Sequence, residues 1–299
     1  MIDFQNLNPG QGSLSLLMNS DGCIKDDRVI TKYEDHIYMV INAGCKDKDL
    51  AHMRQILSDE FSSKDVTMEY SEEDALVAVQ GPKAAHAIET IIGKNLSDQK
   101  FMEGGRHEIP QLSENALFTR CGYTGEDGFE VAVKAEKSAQ FCDLLAQQGV
   151  EPAGLGARDS LRLEAGLCLY GHEMEEQTSP VDAVLQWTIS KRRRTEGGFI
   201  GHDKYMARRK EGASSKRCGF IYDGSGPAAR ENAKVFKDGE QIGHVTSGSY
   251  GPTVGKNVGM AYVNGKNFKA GTTFEVEVRN KRFPVTVHKM PFTKPGYFR

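Results

Sequence analysis

The hydrophobic period of the chain changes several times, and those changes divide it. Short runs at Ser13-Leu-Ser-Leu-Leu17, Arg28-Val-Ile-Thr31 and His36-Ile-Tyr-Met-Val-Ile-Asn42, with a turn at Asn19-Ser-Asp-Gly22, predict a β-meander over residues 12 to 45. From Asp47 the apolar spacing turns helical, with Leu50, Met53, Ile56, Leu57 and Phe61 three or four residues apart. Ala75-Leu-Val-Ala-Val79 reads as a buried strand, and Gly81-Pro82 opens a helix whose stripe is Ala85, Ile88, Ile91 and Ile92. Strands are predicted at Ala116 to Thr119 and Phe129 to Val133, then a helix from Ala135 to Gln148 closed by Gly149. Strand, helix, strand, strand, helix gives a small α+β layer of ferredoxin-like character.

Further on, the eight residues from Ala157 are helical in pattern, carrying Arg158, Arg162 and Glu164, and the plain reading is a surface helix with spaced charges. Ser179-Pro180 predicts the start of another helix through Val184, Leu185 and Trp187, ending in the basic run Lys191-Arg-Arg-Arg194. Cations just past a helix C-terminus suit its dipole. The polar stretch from Arg208 to Lys216 reads as a linker. After it come six short alternating runs at 218–222, 233–236, 241–245, 258–263, 273–278 and 283–287, with turns at Asp238-Gly239, Asn264-Gly265 and Asn280-Lys281. That pattern predicts a separate C-terminal β-barrel or sandwich.

Composition narrows the class. The 299 residues suit two or three domains, and a net charge of -3 with 26% charged residues gives no general attraction to nucleic acid. No run approaches the roughly 18 to 20 apolar residues of a membrane helix. Six scattered cysteines form no C-x-x-C pair, and the eight histidines no H-x-x-x-H, so the expectation is free thiols in a reducing compartment and no metal. Met1-Ile-Asp-Phe4 is neither a signal peptide nor an Arg-rich transit peptide.

Two stretches carry candidate chemistry. Cys121-Gly-Tyr-Thr-Gly-Glu-Asp-Gly-Phe-Glu130 packs three glycines, two aromatics and three acids between two strands, where a polar ligand or a plain acidic turn are both open readings. Asp26 and Asp27 stand together at the start of a strand, and alternation sends them to opposite faces. The competing reading is a solvated turn.

Together with Gly156-Ala-Arg-Asp-Ser-Leu-Arg-Leu-Glu-Ala-Gly-Leu167 and Lys289-Met-Pro-Phe292, the 122–130 stretch resembles the T-protein family of the glycine cleavage system, the aminomethyltransferases. The likeness runs through Asp26-Asp27, Asn42-Ala-Gly-Cys45, Gln80-Gly-Pro82, Trp187, Lys191 to Arg194, Gly243-His-Val-Thr-Ser-Gly248 and Tyr297. It implies a folate-dependent transferase that moves the methylene of the aminomethyl group on the lipoyl arm of H-protein to tetrahydrofolate and releases ammonia. It also implies three domains around a folate cavity. On that basis residues 1–46 with 151–210 form what remains of a central folate-binding domain, 47–150 a second α+β domain, and 211–299 the barrel.

The resemblance implies roles as well. Asp27 becomes the catalytic carboxylate, with Asn42 assisting, Glu130 holding the pterin, and Arg158 and Tyr297 lining the substrate pocket. An ordinary Asp, with a pKa of about 3.9, is ionised at neutral pH. Tyr123 and Trp187 are candidate stacking walls or core residues, and the three loop glycines are expected to bring backbone close to the flat ring. Lys191 to Arg194 suit either acidic H-protein, the polyglutamate tail of folate or plain solvent. Other glycine cleavage components are expected partners; nucleic acid, membrane and metal are not. The location implied is the mitochondrial matrix, or the cytoplasm for a bacterial source. In that family strands and a helix precede the position of Met1, so an inactive fragment is one alternative. The other is a folate-binding relative of the iron–sulfur assembly type, but its K-G-C-Y-x-G-Q-E motif is replaced here by Leu185-Gln-Trp-Thr-Ile-Ser-Lys-Arg192.

Overall fold

Three sheets organise the computed structural model, which describes residues 1–265 and 267–299. The first is the expected meander: β1 (Gly12–Met18), β2 (Ile24–Lys32) and β3 (Ile37–Ile41), antiparallel in that order. Helix α1 (Lys46–Phe61) follows and buries Asp49 and Leu50, while the Arg28 guanidinium of β2 reaches Met53 Sδ at 3.8 Å. Leu16, Met18 and Ile24 close this small core with Met174, Ala183 and Leu185.

The second sheet has the order β4 (Asp74–Gln80), β7 (Gly128–Lys134), β6 (Glu114–Thr119), β5 (Gly104–Ile109), all antiparallel. Helices α2 (Ala84–Ile92) and α3 (Ser138–Gln147) cover one face, where Ile88, Phe118, Phe129, Val131, Val133 and Phe141 are wholly enclosed. The layer has one strand more than its hydrophobic pattern shows. β5 reads Gly-Gly-Arg-His-Glu-Ile, an edge strand with only its last residue buried, so it lacks the apolar alternation that would mark it.

The third sheet is a closed barrel, β10-β11-β8-β13-β12-β9, built from β8 (Ser215–Tyr222), β9 (Lys234–Lys237), β10 (Glu240–Gly251), β11 (Lys256–Asn264), β12 (Thr273–Val278) and β13 (Lys281–His288). All six expected strands are there. Asp238-Gly239 forms a two-residue hairpin loop with both φ positive, as type I′ demands. The other such loop is Arg279-Asn280, one residue earlier than expected.

Between these units the sequence pattern is overridden three times. The helix expected after Ser179 stops after one turn, because Val184 adopts φ 60, and only a short 3-10 turn at Gln186–Thr188 follows. Asp182 is held from outside that turn, by Arg208 at 3.1 Å and by the Arg217 backbone N–H donating to its carbonyl, so tertiary contacts fix the bend. Lys191 to Arg194 therefore do not follow a helix; they begin α5 (Lys191–Glu196), capped by Ser190. At an N-terminus the dipole opposes cations, and Arg192 is offset by Asp3 at 2.7 Å and Glu196 at 2.9 Å. Finally, the supposed linker is the end of α6 (His202–Glu211) and the start of β8. α6 buries only Tyr205, which leaves no stripe to read.

Helix α4 (Leu155–Glu164) is no surface helix at its C-terminal end. Buried Arg162 donates to Glu173 and Ser247 at 2.7 Å each, and Glu164 accepts the backbone N–H groups of Thr253 and Val254 at 2.8 Å. Those bonds fasten the barrel to the remainder of the chain.

Candidate functional site

Asp26 and Asp27 lie within β2, not in a solvated turn, and they do face opposite ways. Asp26 shares the buried face of Ile24 and Ile30; Asp27 is half-buried on the other. Pairing of Arg28 with Ile41 brings Asn42, the next residue beyond β3, opposite Asp27. The Asn42 amide nitrogen donates to Asp27 Oδ1 at 2.9 Å and to Asp26 Oδ1 at 2.8 Å. One amide thus holds both acids.

This surrounding changes the chemistry of Asp27. Burial, then the neighbouring Asp26 charge, push its pKa up to about 6, against the Asn42 hydrogen bond and the Arg158 charge that favour the carboxylate. It remains mostly ionised at neutral pH, but by a narrower margin than an exposed Asp. Asp27 Oδ2 takes no hydrogen bond from the described residues, so one oxygen is left for a ligand.

Glu130 sits mid-strand in β7 between Ala78 of β4 and Thr119 of β6. Its Oε2 is buried and has no hydrogen-bond partner among the described residues. Burial raises its pKa, opposed by the Cys121 thiol beside it and by Arg158. The Arg158 guanidinium lies 4.1 Å above the Tyr123 ring. Its charge therefore bears on Asp27, Glu130 and Tyr123 alike. A buried carboxylate oxygen with no donor invites a ligand with N–H groups.

The glycines of the 121–130 loop serve another purpose than expected. Gln80 threads its side chain beneath the loop, donating to Cys121 O at 2.9 Å and accepting from Thr124 Oγ1 at 3.0 Å. A Cβ on Gly122 or Gly128 would overlap the Gln80 amide, and one on Gly125, at φ +80, would press on Ala165. The glycines make room for protein, which no spacing rule reveals. Asp127 is likewise structural, bound by buried Arg120 through two contacts of 2.9 and 2.5 Å.

Asp27, Asn42, Glu130, Arg158 and Tyr123 are thus brought together. Trp187 stands apart from them. Tyr297 stacks on Phe101 at 4.2 Å, in a tail whose Gly296 N–H donates to Gly125 O. Trp187 is 65% exposed and lines a cavity of about 500 Å³ with Ile2, Asp3, Lys191 and Arg192, walls that include none of the five. Among the described residues no group of three or more His, Cys, Asp or Glu has the disposition of a metal site.

Sequence reading passed over Tyr38 and Asp49. Tyr38 has its pKa raised by burial and by the Glu130 charge, and it shares a strand face with Asn42, four residues on, which period two would have disclosed. Asp49 is an acid on the same helical stripe as Met53 and Ile56, and a charged residue in such a stripe is the signal.

The chain also resembles known proteins over nearly its whole length. Residues 1–193 match the GCVT N-terminal domain and residues 216–294 the glycine cleavage T-protein C-terminal barrel domain. The mitochondrial aminomethyltransferase of Solanum tuberosum is 43% identical over 307 residues, covering 100% of this chain and 74% of its own length. A probable mitochondrial aminomethyltransferase of Schizosaccharomyces pombe is 40% identical, covering 99% of this chain and 75% of its own. The crystal structure of aminomethyltransferase T from Bartonella henselae superposes with a TM-score of 0.89 at 34% identity, over 100% of this chain and 80% of that one.

Proposed function

The chain belongs to the glycine cleavage T-protein family, the folate-dependent aminomethyltransferases, and from that premise we propose that Asp27, held by Asn42, is the carboxylate at which transfer is directed. Tetrahydrofolate is the family's acceptor; it supplies the amine that takes up the methylene. The residues fit such a substrate: the partnerless Glu130 Oε2 suits the N–H edge of an aminopyrimidine, and Asp27 Oδ2 is left without a donor among the described residues. Within that arrangement Asp27 orients the attacking nitrogen and stabilises positive charge as ammonia departs. Glu130 fixes the ring, and Arg158, stacked on Tyr123, balances the two carboxylates.

We assign the lipoyl-bearing H-protein as donor and the other glycine cleavage components as associates. The mitochondrial matrix is the compartment that the relatives' names support. Tyr297 and Trp187 are read as supports, Tyr297 bracing the loop that leads to Glu130. In α5, Arg192 is engaged by Asp3 and Glu196 and Arg193 by the Gly197 carbonyl, which leaves Lys191 and Arg194 as the cations offered to an acidic partner.

The observation that carries this reading is that the charge of one guanidinium, Arg158, bears on both the Asn42-clamped Asp27 and the partnerless Glu130. Purified chain mixed with aminomethylated H-protein is expected to release ammonia only when tetrahydrofolate is added. Asp27→Ala is expected to lower that release at least about a hundredfold while the chain stays folded. Ammonia release that ignores folate, or that survives loss of Asp27, overturns the reading.

A further inference from the structure

Behind Asp27 lies a pair of acids that the transfer itself does not use. Asp26 on β2 and Asp49 on α1 are both 0% exposed. Asp26 is supplied with donors: its Oδ1 takes the Asn42 side-chain amide at 2.8 Å and its Oδ2 the Asn42 backbone N–H at 3.3 Å. Asp49 is not. Neither of its oxygens has a hydrogen-bond partner among the described residues. Lys48 Nζ stands 3.8 Å from Oδ1, donates to the Lys25 carbonyl, and lies 4.1 Å over the Tyr170 ring. An ionised carboxylate enclosed without a donor is strongly disfavoured, and beside a second carboxylate more so. A proton removes both penalties, because a carboxylic acid has one O–H to give and Asp26 lies against it as acceptor.

We propose that Asp49 is a positioning residue whose protonated form donates a hydrogen bond to Asp26, so that the Asn42 amide bridging Asp26 and Asp27 keeps Asp27 aimed at the substrate. The proposal rests on the reading of Asp27 given above. The Asn42 amide has two N–H bonds, and Asp26 Oδ1 and Asp27 Oδ1 take one apiece. Ionising Asp49 would set two enclosed negative charges against each other, displace Asp26, and loosen the amide that Asp27 depends on.

The groups around the pair give the sign. Burial and Asp26 push the Asp49 pKa up to about 7, while Lys48 from its own helix and Arg28 from β2 oppose the shift. The Cys45 thiol lies against Asp26, His52 is one turn along α1, and Glu176 sits across Lys48. Asp49 is therefore protonated below about pH 7 and ionises above it. Asp27 ionises above about pH 6. Activity should rise with the second and fall with the first, giving a bell.

The test measures folate-dependent ammonia release from aminomethylated H-protein across about pH 5 to 9, using the full chain. Asp49→Ala is expected to lower kcat about tenfold or more with KM for tetrahydrofolate within about twofold, the mark of lost alignment. Asp49→Asn is expected to lose less, since its amide still donates to Asp26, and to lose the alkaline limb because it cannot ionise. Infrared difference spectra of wild type against Asp49→Asn near pH 6 should show the carbonyl stretch of a protonated carboxylic acid disappear. An Asp49→Asn profile that superimposes on wild type, full kcat in Asp49→Ala, or no such band each overturns the proposal. Should Asp49→Ala not fold, the asparagine profile and the infrared band decide. Asp27→Ala is run alongside: activity that survives it sinks the reading of Asp27, whereas the infrared band stands or falls without reference to transfer.

Discussion

The barrel and the three-stranded sheet are both built from antiparallel strands, yet they are used in opposite ways. In the barrel, Phe220, Val235, Val245, Val263, Val276 and Val285 meet in a wholly enclosed apolar core, and closure leaves no strand edge unpaired. In the sheet of β1 to β3, positions of similar burial hold Asp26, with Asp49 from α1 set against it. Enclosing charge weakens a core. The same enclosure is what moves the pKa of Asp27 to about 6. The barrel is optimised to hold, the small sheet to hold charges where they are least comfortable.

That contrast can be broken in order of effect. Phe220→Ala, deep in the barrel and edge-on to Phe274 at 5.8 Å, should cost about 3–5 kcal/mol of unfolding free energy, read from urea melts. The fraction still folded should keep its turnover; a loss of turnover per folded molecule would mean that the barrel takes part in the chemistry. Asp27→Ala should do the reverse, removing at least about 3 kcal/mol of transition-state stabilisation with no fall in thermal midpoint. A midpoint that drops by many degrees would make Asp27 a structural residue after all.

Gly128→Ala probes the boundary between the two modes, since it disturbs packing that holds a functional side chain. It should destabilise by about 1–3 kcal/mol and weaken folate binding, and Gln80→Ser should relieve part of the loss. Strict additivity of the two changes would show that they do not meet. Asn42→Ala removes the amide itself and should lower kcat at least as far as Asp49→Ala does; the smallest effect is the one it has on the pH profile. The hydrogen bond from Asn42 favours ionised Asp27, so its removal raises the pKa further, and the acid limb of the rate profile should move to higher pH by about one unit. A limb that stays put, or moves to lower pH, would detach Asn42 from Asp27.

The same contrast explains what could be read in advance. All six barrel strands were visible because each alternates, and the turn at Asp238-Gly239 is locally dictated. β5 and α6 were not, since an edge strand of Gly-Gly-Arg-His-Glu and a helix burying only Tyr205 carry no period. The turn at Val184 was hidden for a different reason: partners more than twenty residues away, Arg208 and Arg217, impose it. Within the site, alternation alone put Asp26 and Asp27 on opposite faces. It took family resemblance to choose Asp27 and Glu130, and it took coordinates to find that Asp49 stands behind them.

Gln80 has a consequence for how this chain can change over generations. Its amide occupies the space that two side chains would need, so positions 80, 122 and 128 are bound into one unit of inheritance. An alanine at 122 or 128 arising first meets an occupied space; after position 80 has become small, the alanine at 122 is freed of that clash, while the one at 128 still meets the Val79 carbonyl at 2.6 Å. Drift here has a permitted order. Lineages that have lost the glutamine should be the ones in which Gly122 has also been let go.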